Sequence, residues 1–226
     1  KKVILFIVEG ITDEISLGNI VTKINKNEKI YFQIVTSDIT SNEANNSTNI
    51  FSKITEQIKI CMQRQQFKKK DIIKVVHLVD TDGAFANDDC IKYKNIDKVE
   101  YENEFINTRN IKAIRERNLK KASILSKLCT TNYIYNIPYR IYFFSTNLEH
   151  VLHNVQNPKD SEKEKMAMQF EDKFYNEPEK LIDFINNDEY ALKDEYYKTW
   201  GFIKIDNNSL KRYTNFNLFF RSNEDG

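Results

Sequence analysis

Val75 to Phe85 reads VVHLVDTDGAF, an apolar run that ends in Asp80-Thr81-Asp82-Gly83. Ile72 to Val79 is short and rich in β-branched residues, which predicts a buried strand of the kind found inside parallel sheets. Residues two apart in a strand point the same way. Asp80 and Asp82 can therefore present two carboxylates to one cation, provided the extended geometry persists past Val79. Gly83 then lets the backbone turn sharply and leaves room above the site. Taken alone, DTDG reads as an ordinary turn.

A second acidic strand end changes the balance. Val3 to Val8 is another continuous apolar run, and it stops at Glu9-Gly10. Thr12 is a candidate N-cap for the helix that follows, with Asp13 and Glu14 in its first turn and Ile15, Leu17, Ile20, Val21 and Ile24 at helical spacing. Ile30 to Thr36 predicts the second strand, and Ser37 to Thr48 a polar, mobile loop. Ile50 to Phe67 predicts an amphipathic helix closed by Lys68-Lys69-Lys70. Strand, helix, strand, helix, strand in this order predicts a parallel sheet with helices on both faces. Ligands of such sheets lie beyond the carboxyl ends of the strands, where Glu9, Asp80 and Asp82 are expected to converge.

Further along, Ala84 to Asn107 predicts loop with at most an edge strand. Thr108 to Lys121 predicts a helix carrying a basic cluster: Arg109, Lys112, Arg115, Arg117, Lys120 and Lys121. Such a cluster could track a phosphate backbone or be a solvated face. Tyr139 to Ser145 predicts a fourth strand led by Pro138, followed by a helix opening that carries Glu149, His150 and His153. The two histidines are open between proton transfer, phosphate contact and a structural role, whereas His77 reads as a core histidine. Asp160 to Tyr197 predicts two or three amphipathic helices. In the tail, Tyr213, Phe216, Phe219 and Phe220 are open between base stacking and core packing.

The chain has 226 residues, 40% of them hydrophobic, enough for one folded unit with a proper core. Its 34 basic and 33 acidic side chains leave a formal charge of +1, so any basic surface is local. Cys61, Cys90 and Cys129 are widely spaced and odd in number, which argues against a disulfide framework or zinc site and fits a reducing cytoplasm. The run Val3 to Val8 is too short for a signal-peptide core or a membrane span, so no membrane partner is expected.

FIVEGITDE, Phe6 to Glu14, followed by HLVDTDG, His77 to Gly83, resembles the topoisomerase-primase (Toprim) domain, whose pattern is a glutamate and glycine after the first strand and a DxD after a later one. The E-G-x-T-D form is most similar to the Toprim nuclease domain of the OLD (overcoming lysogenization defect) family, and it also resembles small standalone Toprim proteins of bacterial antiphage defence. The resemblance covers residues 1 to 90. It implies an α/β fold, a Toprim-like parallel sheet with helices on both faces, over residues 1–155 with an insertion around 84–135, plus a C-terminal helical and aromatic extension over 156–226. It implies a metal-dependent endonuclease with Glu9, Asp80 and Asp82 catalytic. Glu9, Asp13, Asp80, Asp82 and Glu149 would hold Mg²⁺ or Mn²⁺, and Arg109, Lys112, Arg115, Lys120 and Lys121 would contact nucleic acid.

No GxxxxGK[ST] motif occurs, so an ABC- or SMC-type ATPase of the sort that accompanies OLD nucleases would be a separate chain or absent. A homo-oligomer is also compatible. Two other readings stay open. DTDGAF resembles the signature of haloacid-dehalogenase-like phosphatases, with Asp80 as nucleophile, and the chain could instead be a non-catalytic partner-binding subunit of an ATPase complex.

Overall fold

The computed structural model describes residues 2–35 and 38–221. Its centre is a five-stranded sheet of order β2-β1-β3-β8-β7, built from β1 (Val3–Val8), β2 (Lys29–Ile34), β3 (Ile72–Asp80), β7 (Tyr133–Ile134) and β8 (Ile137–Phe144). β2, β1, β3 and β8 run parallel, and only β7 pairs antiparallel, as a short hairpin with β8. The fold is therefore mixed α/β with a mainly parallel sheet flanked by helices. Thr36, at the expected end of the second strand, and Ser37, at the start of the expected loop, lie outside the described residues.

The strands read as unbroken apolar runs because both faces are covered. Odd-numbered side chains such as Leu5, Ile7, Val75, Val79, Ile141 and Phe143 pack under α2 (Ile50–Gln65) and α3 (Ile111–Cys129), with Trp200 from α7 (Tyr196–Ile203). Even-numbered ones, Ile4, Phe6, Val76, Leu78 and Tyr142, pack under α1 (Ile11–Ile24), α4 (Leu148–His153), α5 (Asp160–Phe174) and α6 (Lys180–Ile185). The period-two alternation of strand side chains thus feeds two separate hydrophobic layers. Each fully buried Leu, Ile or Phe contributes about 1.5–3 kcal/mol relative to exposure.

Several sequence expectations are corrected. Ala84 to Asn107 is mostly turn and irregular chain, as expected, but it holds more than one edge strand. It carries β4 (Ile91–Tyr93) and β5 (Glu100–Tyr101), which pair with β6 (Ile106–Thr108) in a second sheet of order β4-β6-β5 over a small core of Ile91, Tyr101, Ile106, Ile114 and Leu210. The helix read from Thr108 starts at Ile111, capped by the Asn110 side chain, and runs on to Cys129. α1 begins at Ile11 behind Gly10, so Thr12 lies inside its first turn and is not the N-cap. The tail aromatics are core residues. Phe216 and Phe219, the latter in α8 (Asn217–Arg221), meet Phe6 and Tyr142 ring to ring and leave no face for stacking bases.

Candidate functional site

The carboxyl edge of the sheet collects the acidic residues. Glu9 follows the end of β1, Asp80 is the last residue of β3, and Glu149 sits in the first turn of α4, just beyond β8. Glu9 continues the odd-numbered face of its strand and Asp80 the even-numbered face of its own, so the two carboxylates leave the sheet toward opposite layers. Extended geometry does not persist past Asp80. Asp82 turns back with a φ of 48°, and Gly83 follows at 67°. Gly83 leaves no open room either: a Cβ there would come within 2.6 Å of Leu210 and 2.9 Å of Ile106. Glycine is required by both the backbone and the packing.

The turn is braced by segments remote in sequence. The Thr81 N–H donates to the Phe144 carbonyl, and its hydroxyl donates to the Ser209 carbonyl while accepting from the Thr146 N–H. Thr146 is itself left-handed, with a φ of 61°, an unusual conformation for a β-branched residue. It is held there because its N–H also donates to Ser209, its carbonyl accepts from the Asp82 N–H, and its hydroxyl donates to the Leu210 carbonyl. From the other side, α3 supplies Arg117, which donates to the Asp82 carbonyl at 2.8 Å and to the Tyr101 hydroxyl at 2.9 Å, and Asn118, which donates to the Gly83 carbonyl. Strain of this sort persists only where the surroundings over-determine it, and it concentrates at functional sites.

Two lysines divide the acids into two groups. Lys121 from α3 is 0% exposed, and its ammonium lies 2.7 Å from Asp38 Oδ2 and 2.5 Å from Asp82 Oδ2. Against the desolvation of its own burial, the ion pair and hydrogen bond with Lys121 hold the Asp38 carboxyl well below the usual range. Lys121 stays charged despite its burial because Asp38, Asp82 and Glu9 surround it. In the second group Lys163 from α5 reaches Glu149 at 3.3 Å. Asp13 is fixed by accepting from the Glu9 and Gly10 N–H groups at 3.1 and 3.0 Å. Burial, with Glu149 nearby, pushes its carboxyl up to about 7 against those two hydrogen bonds.

Glu9 and Asp80 bear the imbalance. Burial raises Glu9 well above the carboxylate range, with Asp38, Asp80 and Asp82 adding to the effect and Lys121 opposing it. Burial likewise raises Asp80, reinforced by Asp13, Asp82 and Glu149. Glu9 Oε1 is buried without a hydrogen-bond partner, and Asp80 faces a cleft of about 500 Å³ walled by Tyr101, Asn147, Asn157 and Lys163. Buried carboxylates raised by one another's charge at a sheet edge mark a candidate functional site.

The donor set is hard oxygen, which fits Mg²⁺, a cation commonly held by one or two carboxylates with water and substrate oxygens completing the shell. The unpartnered Glu9 oxygen and the cleft-facing Asp80 fit that requirement. The fuller five-acid ligand set is not gathered: among the described residues, no three His, Cys, Asp or Glu side chains form a ready metal cage. Asp82 is engaged by Lys121, Glu149 by Lys163, and Asp13 by backbone N–H groups.

The basic cluster of α3 does not act as a unit. Lys121 is buried in the acidic site, which removes it from any phosphate-tracking surface. Lys120 donates to the Asn42 carbonyl. Arg109, Lys112 and Arg115 pair with Asp97, Glu116 and Asp88. His77 is a core residue, 2.7 Å from the Tyr139 hydroxyl and pushed down to about 4 by burial. His150 is buried against Thr146 and also pushed down to about 4, by burial and Arg212, and His153 packs on Phe170.

Sequence reading missed Asp38 and Lys163, and took Arg117 only as one member of the basic cluster. Asp38 had a signal, because it lies just beyond β2 and its Oδ1 accepts from the Thr40 N–H in an Asx-type turn. An acid past the end of a third parallel strand belongs in the same inventory as Glu9 and Asp80. Compared with known proteins, the chain matches no family, no curated protein and no solved structure. The class defined by fold and geometry is a mixed α/β protein with an acidic site at the carboxyl edge of a mainly parallel sheet. Among the described residues, no helix is long and apolar enough to cross a membrane.

Proposed function

We propose that this protein is a Toprim-type, Mg²⁺-dependent nuclease of the cytoplasm that hydrolyses phosphodiester bonds of DNA or RNA, tRNA included. One observation carries the reading: Glu9 and Asp80, at the ends of two adjacent parallel strands, are both buried and raised by neighbouring acids, with Glu9 Oε1 unpartnered and Asp80 and Asp82 lining a cleft. Glu9 and Asp80 would hold the cation, which when bound would polarise a phosphoryl oxygen and lower the pKa of an attacking water. Asp82 is oriented by Lys121 and Arg117 and completes the acidic wall. Lys163, at the cleft, faces the position a phosphate would take, and Asn147, Gln156 and Asn157 offer neutral donors to sugar or phosphate oxygens.

The test is incubation of labelled DNA, tRNA and total RNA with Mg²⁺ or Mn²⁺, with Glu9→Ala and Asp80→Ala as controls. Cleavage is expected for the native chain, to be stopped by EDTA and lost in both variants while circular dichroism stays native. Equal activity in native and variant chains refutes the assignment. An effector role in antiphage defence, alongside a separate ATPase, would be supported by co-purification with that ATPase.

The rival phosphatase reading draws on one observation, that Asp80 faces an open cleft. It leaves Glu9 without a task. Trapping a phospho-aspartate at Asp80 would decide for it.

A further inference from the structure

Of the carboxylates at the carboxyl edge of the sheet, most are already matched. Asp38 is saturated: its Oδ1 accepts from the Thr40 N–H and hydroxyl at 2.7 and 2.6 Å, and its Oδ2 accepts from Lys121 Nζ at 2.7 Å. Asp82 Oδ2 accepts from the same ammonium at 2.5 Å. Asp13 is held by two backbone N–H groups, and Glu149 pairs with Lys163. Glu9 and Asp80 are left over. Glu9 Oε1 is buried without a hydrogen-bond partner, and Asp80, which lines the cleft, has no ion pair among the described residues. Two carboxylates with water completing the shell suffice for one Mg²⁺ or Mn²⁺, whereas a pair of ions about 4 Å apart draws on a larger set.

The two lysines of the edge are not equivalent. Lys163 lines the cleft with its side chain 35% exposed, so it can swing into water when a cation enters. Lys121 has no such exit, because its side chain is 0% exposed. Its surroundings are fixed as well. Lys120 and Lys127 of the same helix donate to the Asn42 and Ser47 carbonyls and clamp the segment that follows Asp38 onto α3. The Lys121 ammonium thus bridges two carboxylates as a hard cation does, and one of them, Asp82, lines the cleft together with Asp80. In a two-ion clamp the second ion needs carboxylates of its own beside the first. Here Asp38 and Asp82 stand in that position with Lys121 already on them, and a further divalent ion would set its double charge against a buried ammonium.

We propose that Lys121 is a built-in cation in the place of a second metal ion, so that the edge takes one divalent cation, at Glu9 and Asp80. This rests on the nuclease reading of the edge as a metal site and adds its metal count.

Mn²⁺ titration near neutral pH, followed by the electron paramagnetic resonance signal of the free ion, counts the ions bound per chain. One Mn²⁺ is expected in the native chain below about 1 mM free ion, and none in Asp80→Asn. Lys121→Met frees Asp38 and Asp82, and its count should rise to two, with the spin coupling of neighbouring ions in its spectrum. Two ions in the native chain overturn the proposal and leave the nuclease reading standing, whereas no ion in the native chain overturns both. A folded Lys121→Met chain that still binds one ion also overturns the proposal. If Lys121→Met is unfolded in chelating buffer, Mn²⁺ should restore its native circular dichroism by filling the place of the ammonium. A variant chain that stays unfolded at about 1 mM Mn²⁺ counts against the proposal and overturns it.

Discussion

Replacing Lys121 with methionine keeps the length of the side chain and removes its charge from a place where water cannot substitute for it. The ammonium is 0% exposed and makes close ion pairs to Asp38 and Asp82, whose side chains are only 20% and 25% exposed. Breaking a buried pair by deleting one partner costs about 3–5 kcal/mol, because the remaining charge is left uncompensated. For a domain of this size, 1 kcal/mol corresponds to about 2–4 °C in Tm, so Lys121→Met should melt roughly 6–20 °C below the native chain at pH 7. The assay is urea unfolding followed by the fluorescence of Trp200, the only tryptophan, which is buried against Phe143. The deficit should depend on pH. Lys121 holds the folded Asp38 carboxyl below its unfolded value, so this stabilisation is present above the ordinary carboxylate pKa of about 4 and fades as pH falls below it. The native and variant curves should therefore converge in acid. A Lys121→Met chain within about 1 kcal/mol of native at pH 7, or a deficit that grows on acidification, refutes the view that this lysine neutralises the site.

Other outcomes follow from the same geometry. Asp13, Glu9 and Asp80 have raised folded pKa values, so in chelating buffer the native chain should gain stability as pH falls from about 7 toward 5, and denaturant melts with added Mg²⁺ should flatten that dependence. Asp80→Asn should raise Tm in metal-free buffer while abolishing cleavage; a lower Tm would show that the ionised carboxylate is satisfied by a contact not identified above. Gly83→Ala should cost about 2–4 kcal/mol, combining a left-handed backbone with overpacking against Leu210 and Ile106, as read by urea melts. Alanine at Arg109, Lys112 and Arg115 should change stability by less than about 1 kcal/mol per pair, since these ion pairs are exposed. The same changes should weaken DNA or RNA retention less than alanine at the cleft residues Lys98 and Lys159, as gel-shift titrations at several salt concentrations would register.

The parallel sheet was legible because burial on both faces forces unbroken Val, Ile, Leu and Phe runs, and nothing in VILFIV or IIKVVHLV depends on distant context. Glu9, Asp80 and Glu149 were likewise legible as residues at or just past strand ends. Lys121 was not. A lysine in a basic helical stretch gives no local sign of burial, and only the approach of Asp38 and Asp82 from other elements makes burial tolerable. The β4-β6-β5 sheet was invisible for a related reason: its strands are two or three residues long, too short for any period to register, and they are held by the small core that Leu210 completes from far along the chain. The room expected above Gly83 failed on the same side chain.

The hydrogen bonds that tie Thr81 and Thr146 to Ser209 have a consequence for how the protein is made. Glu9 and the DTDG turn are synthesised before the carbonyl that accepts from the Thr81 hydroxyl, which comes more than a hundred residues later, after Lys121 and Glu149. Until that later segment docks, the turn lacks the Ser209 part of its brace and is held only by Phe144, Thr146, Arg117 and Asn118. A growing chain would therefore carry the turn only partly braced until the segment around Ser209 has been made and docked.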